Sequence, residues 1–95
     1  MPKPVRKFAA RTPEAIFGRV LRETRDRKAL TQEALGFESG FHRTYISFLE
    51  RGLKSPSLGT ILSLATALDA SAGDMVRRVE RALGDTWKQP RRSRR

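Results

Sequence analysis

Apolar side chains recur at spacings of three and four residues along much of the chain, which is the spacing of one face of an α-helix. In the first such segment the residues that share a face are Ile16, Phe17, Val20, Leu21 and Thr24, and charged residues take the opposite face. Thr12 can cap this helix, and Pro13 suits its first position. The pattern therefore predicts an amphipathic helix of about 14 residues that begins at Pro13.

The same spacing predicts four further helices, over residues 32–38, 43–50 and 58–68 and from residue 72 onward. The apolar positions of the last two are Leu58, Ile61, Leu62, Leu64, Ala65, Leu68, Met75, Val76, Val79 and Leu83. Thr31, Ser57 and Ser71 precede three of these helices and are residue types that cap helix N-termini. No stretch alternates between apolar and polar residues over the length of a strand. We therefore predict an all-α fold, a small bundle of five helices.

The positive charge of the chain is concentrated at its ends. The 95 residues are typical of one domain and carry a net charge of +10. Residues 1–11 contribute +4 and residues 88–95 contribute +5, and neither segment contains an acidic residue. We therefore divide the chain into a flexible basic arm (1–11), a nearly neutral domain (12–87) and a basic tail (88–95). Such arms favour a polyanion, nucleic acid before an anionic membrane surface, with solvated tails as the alternative.

The composition excludes several classes of function. The chain has no cysteine and a single histidine, His42, which leaves no metal cluster of these residues and no catalytic triad. It also has no glycine-rich phosphate loop and no apolar run long enough to cross a bilayer. We therefore expect no enzymatic activity, no cofactor, no metal and no membrane partner, and a cytoplasmic location with the nucleoid.

Residues 31–50 have the dimensions of a helix-turn-helix motif. Gly36 is the small residue required where the second helix crosses the first, and Gly40 tolerates the positive φ of the turn. Leu35, Ile46 and Leu49 are apolar anchors for the two helices. Helix pairs with a glycine-containing turn also occur in proteins that do not bind DNA, so the pattern alone leaves both possibilities open.

A longer stretch, from about residue 17 to residue 76, closely resembles the Cro/CI-type (XRE-type) helix-turn-helix family of phage and bacterial regulators. The segments LRETR, LTQEAL, HRTYISFLERG and SPSL carry the resemblance in residue type and mutual spacing. It implies a lambda-repressor-like fold that binds double-stranded DNA sequence-specifically, with its recognition helix in the major groove. The sequence departs from the family at Gly36, where alanine is more common, at Ser39, often aliphatic, and at Lys28 and Ala29, where a turn glycine is usual.

The resemblance assigns base reading to the recognition helix, at Arg43, Thr44, Ser47 and Phe48. Arg43 is the foremost of these, because a guanidinium can bind guanine through two hydrogen bonds. The alternative for Arg43 is a solvated arginine at a helix start, where the helix dipole disfavours a cation. Phe48 suits contact with a thymine methyl group, and its alternative is a place in the core.

The predicted phosphate contacts are Gln32, His42, Tyr45, Arg51, Lys54 and Ser55. Capping of the recognition helix is the alternative for His42, and packing between helices is the alternative for Tyr45. The others have ordinary solvated surface as their alternative. The family pairs the residues at the positions of Arg25 and Glu50 as a partly buried salt bridge, which is a structural role.

Members of the family usually bind pseudo-palindromic operators as twofold dimers, so the resemblance implies a homodimer. Val79, Leu83 and Trp87 lie four residues apart, and we expect this stripe to form the contact between copies. The alternative is that Trp87 folds back on its own helix. Three settings stay open for a regulator: a phage-type repressor, a controller of a restriction-modification system, or an antitoxin that represses its own operon. The competing class of function is a protein-interaction module, with an antitoxin bound to a toxin as the concrete case.

Overall fold

Five helices and no strand make up residues 11–84, which are the residues that the structure, a computed structural model, describes. The helices are α1 (Pro13–Arg27), α2 (Gln32–Ser39), α3 (Arg43–Glu50), α4 (Leu58–Ala67) and α5 (Ala72–Leu83). The predicted boundaries agree with these to within a residue, so the prediction of an all-α bundle is confirmed. Most of the two basic segments, together with Trp87, lies outside the described residues.

Each helix begins next to a side chain that accepts a hydrogen bond from an amide in the first turn. The capping residues are Thr12, Thr31, His42, Ser57 and Ser71. A cap of this kind stabilises a helix by about 1 kcal/mol, which matters most for short helices. The caps therefore explain why α2 and α3, at eight residues each, begin where the sequence predicts.

Four helices end at a residue in the left-handed conformation, and three of them (α1, α3 and α4) share one pair of hydrogen bonds. After α3 the amide of Leu53 donates to the carbonyl of Phe48 (2.8 Å) and that of Gly52 to the carbonyl of Leu49 (3.1 Å), which is a Schellman motif. The same pair of bonds ends α1 and α4. There, however, the left-handed residues are Ala29 (φ +57°) and Asp69 (φ +52°) rather than glycine. Alanine in this conformation costs about 1–2 kcal/mol, so the departure at Ala29 introduces local strain.

The first helix, α1, packs against both α3 and α5. The largest fully buried side chains are Ile16, Leu21, Leu35, Ile46, Leu49, Leu64, Leu68 and Met75. Gly18 lets α1 and α3 cross closely, because a Cβ there would collide with the carbonyl oxygens of Leu49 and Glu50. The spacing of residues along the chain did not indicate this contact, although it brings α3 close to α1.

Several of the apolar positions on α4 and α5 are exposed. Leu58 and Leu62, one turn apart on α4, are 71% and 51% exposed, and Val76 on α5 is exposed as well. Apolar residues occur on more than one side of α4, but only part of its surface packs against α2 and α5. The spacing of apolar residues therefore did not identify which face is buried.

We predicted that a stripe of Val79, Leu83 and Trp87 forms the contact between copies. For the two members that the structure describes, this prediction is wrong. Val79 and Leu83 are buried in the core of their own domain. Because α5 packs on α1 through this face, the two side chains are not available to a second copy. Trp87, the third member, lies outside the described residues.

Arg11 contributes to the helical domain and not only to the positive charge of the arm. Its Nη2 atom donates to the carbonyl oxygen of Ala82 (2.8 Å) and lies 3.4 Å from that of Leu83, at the end of α5. A cation at a helix C-terminus is stabilised by the helix dipole and by carbonyls that lack helical partners. The start of the domain is thus tied to its last described helix.

Candidate nucleic-acid interface

The turn between α2 and α3 brings the backbones of the two helices into contact. Gly40 adopts φ +84°, and the amides of Gly40 and Phe41 both donate to the carbonyl of Gly36 (2.8 and 2.9 Å). A Cβ at Gly36 would lie 2.5 Å from the carbonyl oxygen of Phe41 and 3.2 Å from the amide nitrogen of Arg43. The two glycines therefore have the predicted roles: Gly36 permits the close crossing and Gly40 permits the turn.

The inner face of α3 is fully used by the core, because Ile46 and Leu49 are completely buried. The four predicted base readers lie on the opposite side of α3. They are related by steps of three and four residues, so their side chains are neighbours on the helix surface. Arg43 and Thr44 are exposed, and Ser47 and Phe48 are half-buried. Phe48 is not part of the core cluster, so the structure does not support its core alternative. All four side chains thus share a surface that a large partner can reach.

Arg43 lies near an acidic residue of the preceding helix. Its Nη1 atom is 3.6 Å from Oε1 of Glu33, and both side chains are mostly exposed. An exposed pair of this kind contributes about 1 kcal/mol or less, so Arg43 can exchange Glu33 for another partner at little cost. The sequence did not single out Glu33, because an acidic residue in the first turn of a helix is already explained by the helix dipole.

His42 caps α3, as one of its two alternatives predicted. Its Nδ1 atom accepts a hydrogen bond from the amide of Thr44 (3.0 Å). The acceptor role requires that Nδ1 carry no proton, so Nε2 carries the proton of the neutral ring. Because the side chain is exposed, that N–H group remains accessible at the start of α3. Contact between His42 and a phosphate stays a prediction.

Two cations lie over the ring of Phe48 at the end of α3. The guanidinium carbon of Arg51 is 5.9 Å from the ring centroid, and Nζ of Lys54 is 6.0 Å from it. The Schellman motif around Gly52 turns the chain so that Lys54 returns to this ring. Arg51 also places Nη1 3.5 Å from the hydroxyl of Ser47. The interface therefore has exposed positive charge at the C-terminal end of α3.

Two other predicted phosphate contacts have partners inside the domain. The hydroxyl of Tyr45 lies 3.3 Å from that of Thr60 on α4, and the Tyr45 ring packs on that of Phe41 with centroids 5.2 Å apart. The structure thus gives Tyr45 the packing role that the sequence left open beside phosphate contact. The hydroxyl of Ser55 donates to Oε2 of Glu14 (3.4 Å).

The predicted ion pair between α1 and α3 is confirmed. The side chain of Glu50 is 3% exposed and that of Arg25 is 11% exposed. Nε and Nη2 of Arg25 donate to Oε2 (2.6 Å) and Oε1 (2.9 Å) of Glu50, and Nη1 donates to the carbonyl of Leu30 (2.8 Å). The hydrogen bonds to Glu50 raise the pKa of Arg25 above its ordinary value, although burial acts in the opposite direction.

Gln32 joins this ion pair. Its Nε2 atom donates to Oε1 of Glu50 (3.0 Å), so α1, α2 and α3 meet at a single carboxylate. The sequence predicted Gln32 only as a phosphate contact, and neither spacing nor residue type indicated its link to Glu50. The side chain is half-buried, and its amide group already has an internal acceptor.

Residues 11–84 also contain grooves outside this interface, but no cluster of metal ligands. Within residues 11–84 no three His, Cys, Asp or Glu side chains lie close enough to hold a metal ion. None of the helices there is long and apolar enough to cross a membrane. A groove of about 190 Å³ between α1, α4 and α5 is lined mostly by apolar residues, with Glu14 as its one charged side chain. It offers few groups that could orient a polar substrate.

Comparison with known proteins identifies a family and several regulators. The model of a family described as a helix-turn-helix domain matches residues 16–79. The chain is 40% identical to control protein C.BamHI of Bacillus amyloliquefaciens over 62 residues. This alignment covers 64% of this chain and 76% of that protein. It is 38% identical to control protein C.SmaI of Serratia marcescens over 63 residues, and this alignment covers 66% of this chain and 75% of that protein.

Two solved structures show the same fold. One is the restriction-modification controller protein C.AhdI from Aeromonas hydrophila, at 48% identity and a TM-score of 0.63, with 64% of this chain and 92% of that chain covered. The other is the clp gene regulator ClgR from Corynebacterium glutamicum, at 30% identity and a TM-score of 0.73, with 77% of this chain and 95% of that chain covered. The family match over residues 16–79 contains the whole helix-turn-helix region.

Proposed function

The chain belongs to the helix-turn-helix family of DNA-binding transcriptional regulators, and we propose that it reads a pseudo-palindromic operator through the outward face of α3. The observation that carries this proposal is the placement of Arg43, Thr44, Ser47 and Phe48. They lie on one accessible face, while the opposite face of the same helix is completely buried. The helix can therefore enter a groove without disturbing the core.

We infer that Arg43 is the main base-reading residue. The cost of leaving Glu33 is small, because that pair is exposed and 3.6 Å long. Two hydrogen bonds to guanine would contribute about 1–3 kcal/mol of discrimination against other bases. Thr44, Ser47 and Phe48 lie further along the same face and would read neighbouring bases through hydroxyl and apolar contacts.

The phosphate contacts would surround this face. Arg51 and Lys54 are exposed at one end of α3, and His42 is exposed at the other, where it retains an N–H donor. Gln32 lies at the N-terminus of α2, whose free amides favour an anion. Tyr45 can donate to a phosphate if Thr60 supplies the proton of their hydrogen bond, whereas Ser55 would have to leave Glu14.

Selection of bound sequences from random duplex DNA tests this function. We expect enrichment of a sequence with two inverted half-sites whose centres are about one helical turn, or a multiple of it, apart. The enriched positions would report specificity, palindromy and spacing together. If no sequence were enriched at moderate salt, the proposal of sequence-specific binding would be wrong.

We further propose that the regulated genes are those of a restriction-modification system. This setting is supported by relatives named control or controller proteins at 38–48% identity. In this setting the protein acts by occupying DNA, without an enzymatic activity or cofactor of its own. Sequencing of the genomic neighbourhood should find genes for a restriction endonuclease and a DNA methyltransferase beside this gene, with the selected operator upstream. An adjacent toxin gene would favour the antitoxin setting instead.

A homodimer is the assembly that fits a pseudo-palindromic operator. With Val79 and Leu83 buried, the large apolar side chains that are exposed on the described helices are Phe37, Val76 and, one turn apart on α4, the pair Leu58 and Leu62. We propose that this pair contributes to the contact between copies. Sedimentation should show a wild-type dimer and a larger monomer fraction for Leu58→Ser/Leu62→Ser. A wild-type monomer at high concentration, with and without operator DNA, would contradict the dimer.

A further inference from the structure

We propose that Phe48 is a positioning residue for phosphate binding, and that its ring holds Arg51 and Lys54 together at the end of α3. The inference rests on the proposed DNA-binding function and extends it. Base contact alone would make Phe48 a reader of sequence. The geometry points to a second role, in which the ring positions two cations that bind DNA phosphates whatever the base sequence.

Both cations lie within the distance at which an aromatic face attracts positive charge. Cζ of Arg51 and Nζ of Lys54 are 5.9 and 6.0 Å from the centroid of Phe48. The backbone brings Lys54 near the ring, because the amide of the preceding residue, Leu53, donates to the carbonyl of Phe48 itself (2.8 Å). Phe48 therefore contributes both the ring and the carbonyl that accepts a hydrogen bond from the following turn.

Within residues 11–84 the two cations have no acidic partner that would otherwise hold them. Among residues 11–84 the ion pairs involve Arg22, Arg25, Arg43, Arg77 and Arg78, and none involves Arg51 or Lys54. Like charges that share a small surface repel each other, and the electron-rich ring face offsets part of that repulsion. Both side chains are exposed and keep N–H donors for a phosphate. The cluster is thus arranged to meet a polyanion.

Replacing Phe48 by leucine separates the two roles. Leucine retains an apolar side chain for a thymine methyl group but has no aromatic face. If the ring positions two phosphate contacts, Phe48→Leu should lower affinity for the selected operator and for a scrambled duplex of equal length alike. The slope of log affinity against log salt should become less steep by up to about 1.8 for each bound copy, so the wild-type advantage should shrink by up to about tenfold per copy between 50 and 200 mM salt.

Matched variants show whether the ring is responsible. Phe48→Tyr, which restores an aromatic face, should recover the wild-type slope. Phe37→Leu makes the same chemical change at a side chain that is 85% exposed on α2, and it should leave the slope unchanged. Far-UV circular dichroism and a thermal melt establish that each variant is folded before binding is compared.

A double-mutant cycle gives the decisive result. In the Arg51→Gln/Lys54→Gln background, Phe48→Leu should cause no further loss of affinity, because the contacts that it positions are already gone. Additive losses, or a changed base preference at an unchanged salt slope, would overturn the positioning role and leave Phe48 a base reader. Failure of the wild type to select any sequence would refute the proposed function alone, since the slopes on the scrambled duplex still test the role of Phe48.

Discussion

Removal of Arg25 tests how the recognition helix is held to the domain. Glu50 ends α3, and its nearly buried carboxylate accepts two hydrogen bonds from Arg25 and one from Gln32. Arg25→Ala removes both guanidinium donors and leaves the charge of Glu50 with Gln32 as its remaining side-chain donor. The perturbation therefore acts on an anion that water barely reaches, at the point where α1, α2 and α3 meet.

The expected loss of stability is large for a domain of this size. Removing one partner of a buried ion pair costs about 3–5 kcal/mol, because the other charge stays buried without compensation. A small domain is stable by about 5–15 kcal/mol in total, so much of the stability would be lost. Because folding raises the pKa of Arg25, the guanidinium is charged at neutral and mildly alkaline pH, and its contribution is lost only as pH rises through the raised value. The loss in Arg25→Ala should therefore be the same at neutral and mildly alkaline pH.

Urea unfolding followed by circular dichroism measures this loss, and the chain contains a matched control. Arg22 and Asp26 form an exposed pair on the same helix at 3.9 Å, so Arg22→Ala should cost less than about 1 kcal/mol. Arg25→Met/Glu50→Met, which removes both charges and keeps the volume, should be far more stable than Arg25→Ala alone. If Arg25→Ala cost no more than Arg22→Ala, the reasoning from burial would be refuted.

Three further predictions concern the turns, the helix crossing and the interface. Ala29→Gly should raise stability by about 0.5–1 kcal/mol, because glycine removes the strain of φ +57° at an exposed turn; an unchanged urea midpoint would contradict this. Gly18→Ala should lower stability by about 1–3 kcal/mol in the same assay, since its Cβ would collide with two carbonyl oxygens of α3, and a neutral result would mean that the crossing can widen freely. Arg43→Ala should change the preferred base at one operator position, whereas deletion of residues 88–95 should weaken binding to all sequences and reduce its salt dependence. Equal loss of affinity for all sequences in both variants would contradict the division between base-reading and phosphate-binding residues.

Much of the candidate interface could be predicted from the sequence because its parts are close together in the chain. The cap at His42, the left-handed turn at Gly40 and the buried positions Ile46 and Leu49 all depend on residues within one or two turns of a helix. Their spacing also carries the family resemblance, which identified the ion pair between Arg25 and Glu50. Partners distant along the chain that the resemblance does not specify, such as Glu50 for Gln32, could not be predicted.

The sequence by itself determined the five helices, their starts and the turn of the helix-turn-helix motif. These features rest on local hydrogen bonds and on backbone conformations that a few neighbouring residue types favour. The tertiary structure decided which apolar faces are buried, and so placed Val79 and Leu83 in the core while leaving Leu58 and Leu62 at the surface. It also decided that Gly18 is the crossing point of α1 and α3. Burial depends on which helices meet and at what distance, and a helix with apolar residues on several sides does not specify its partner.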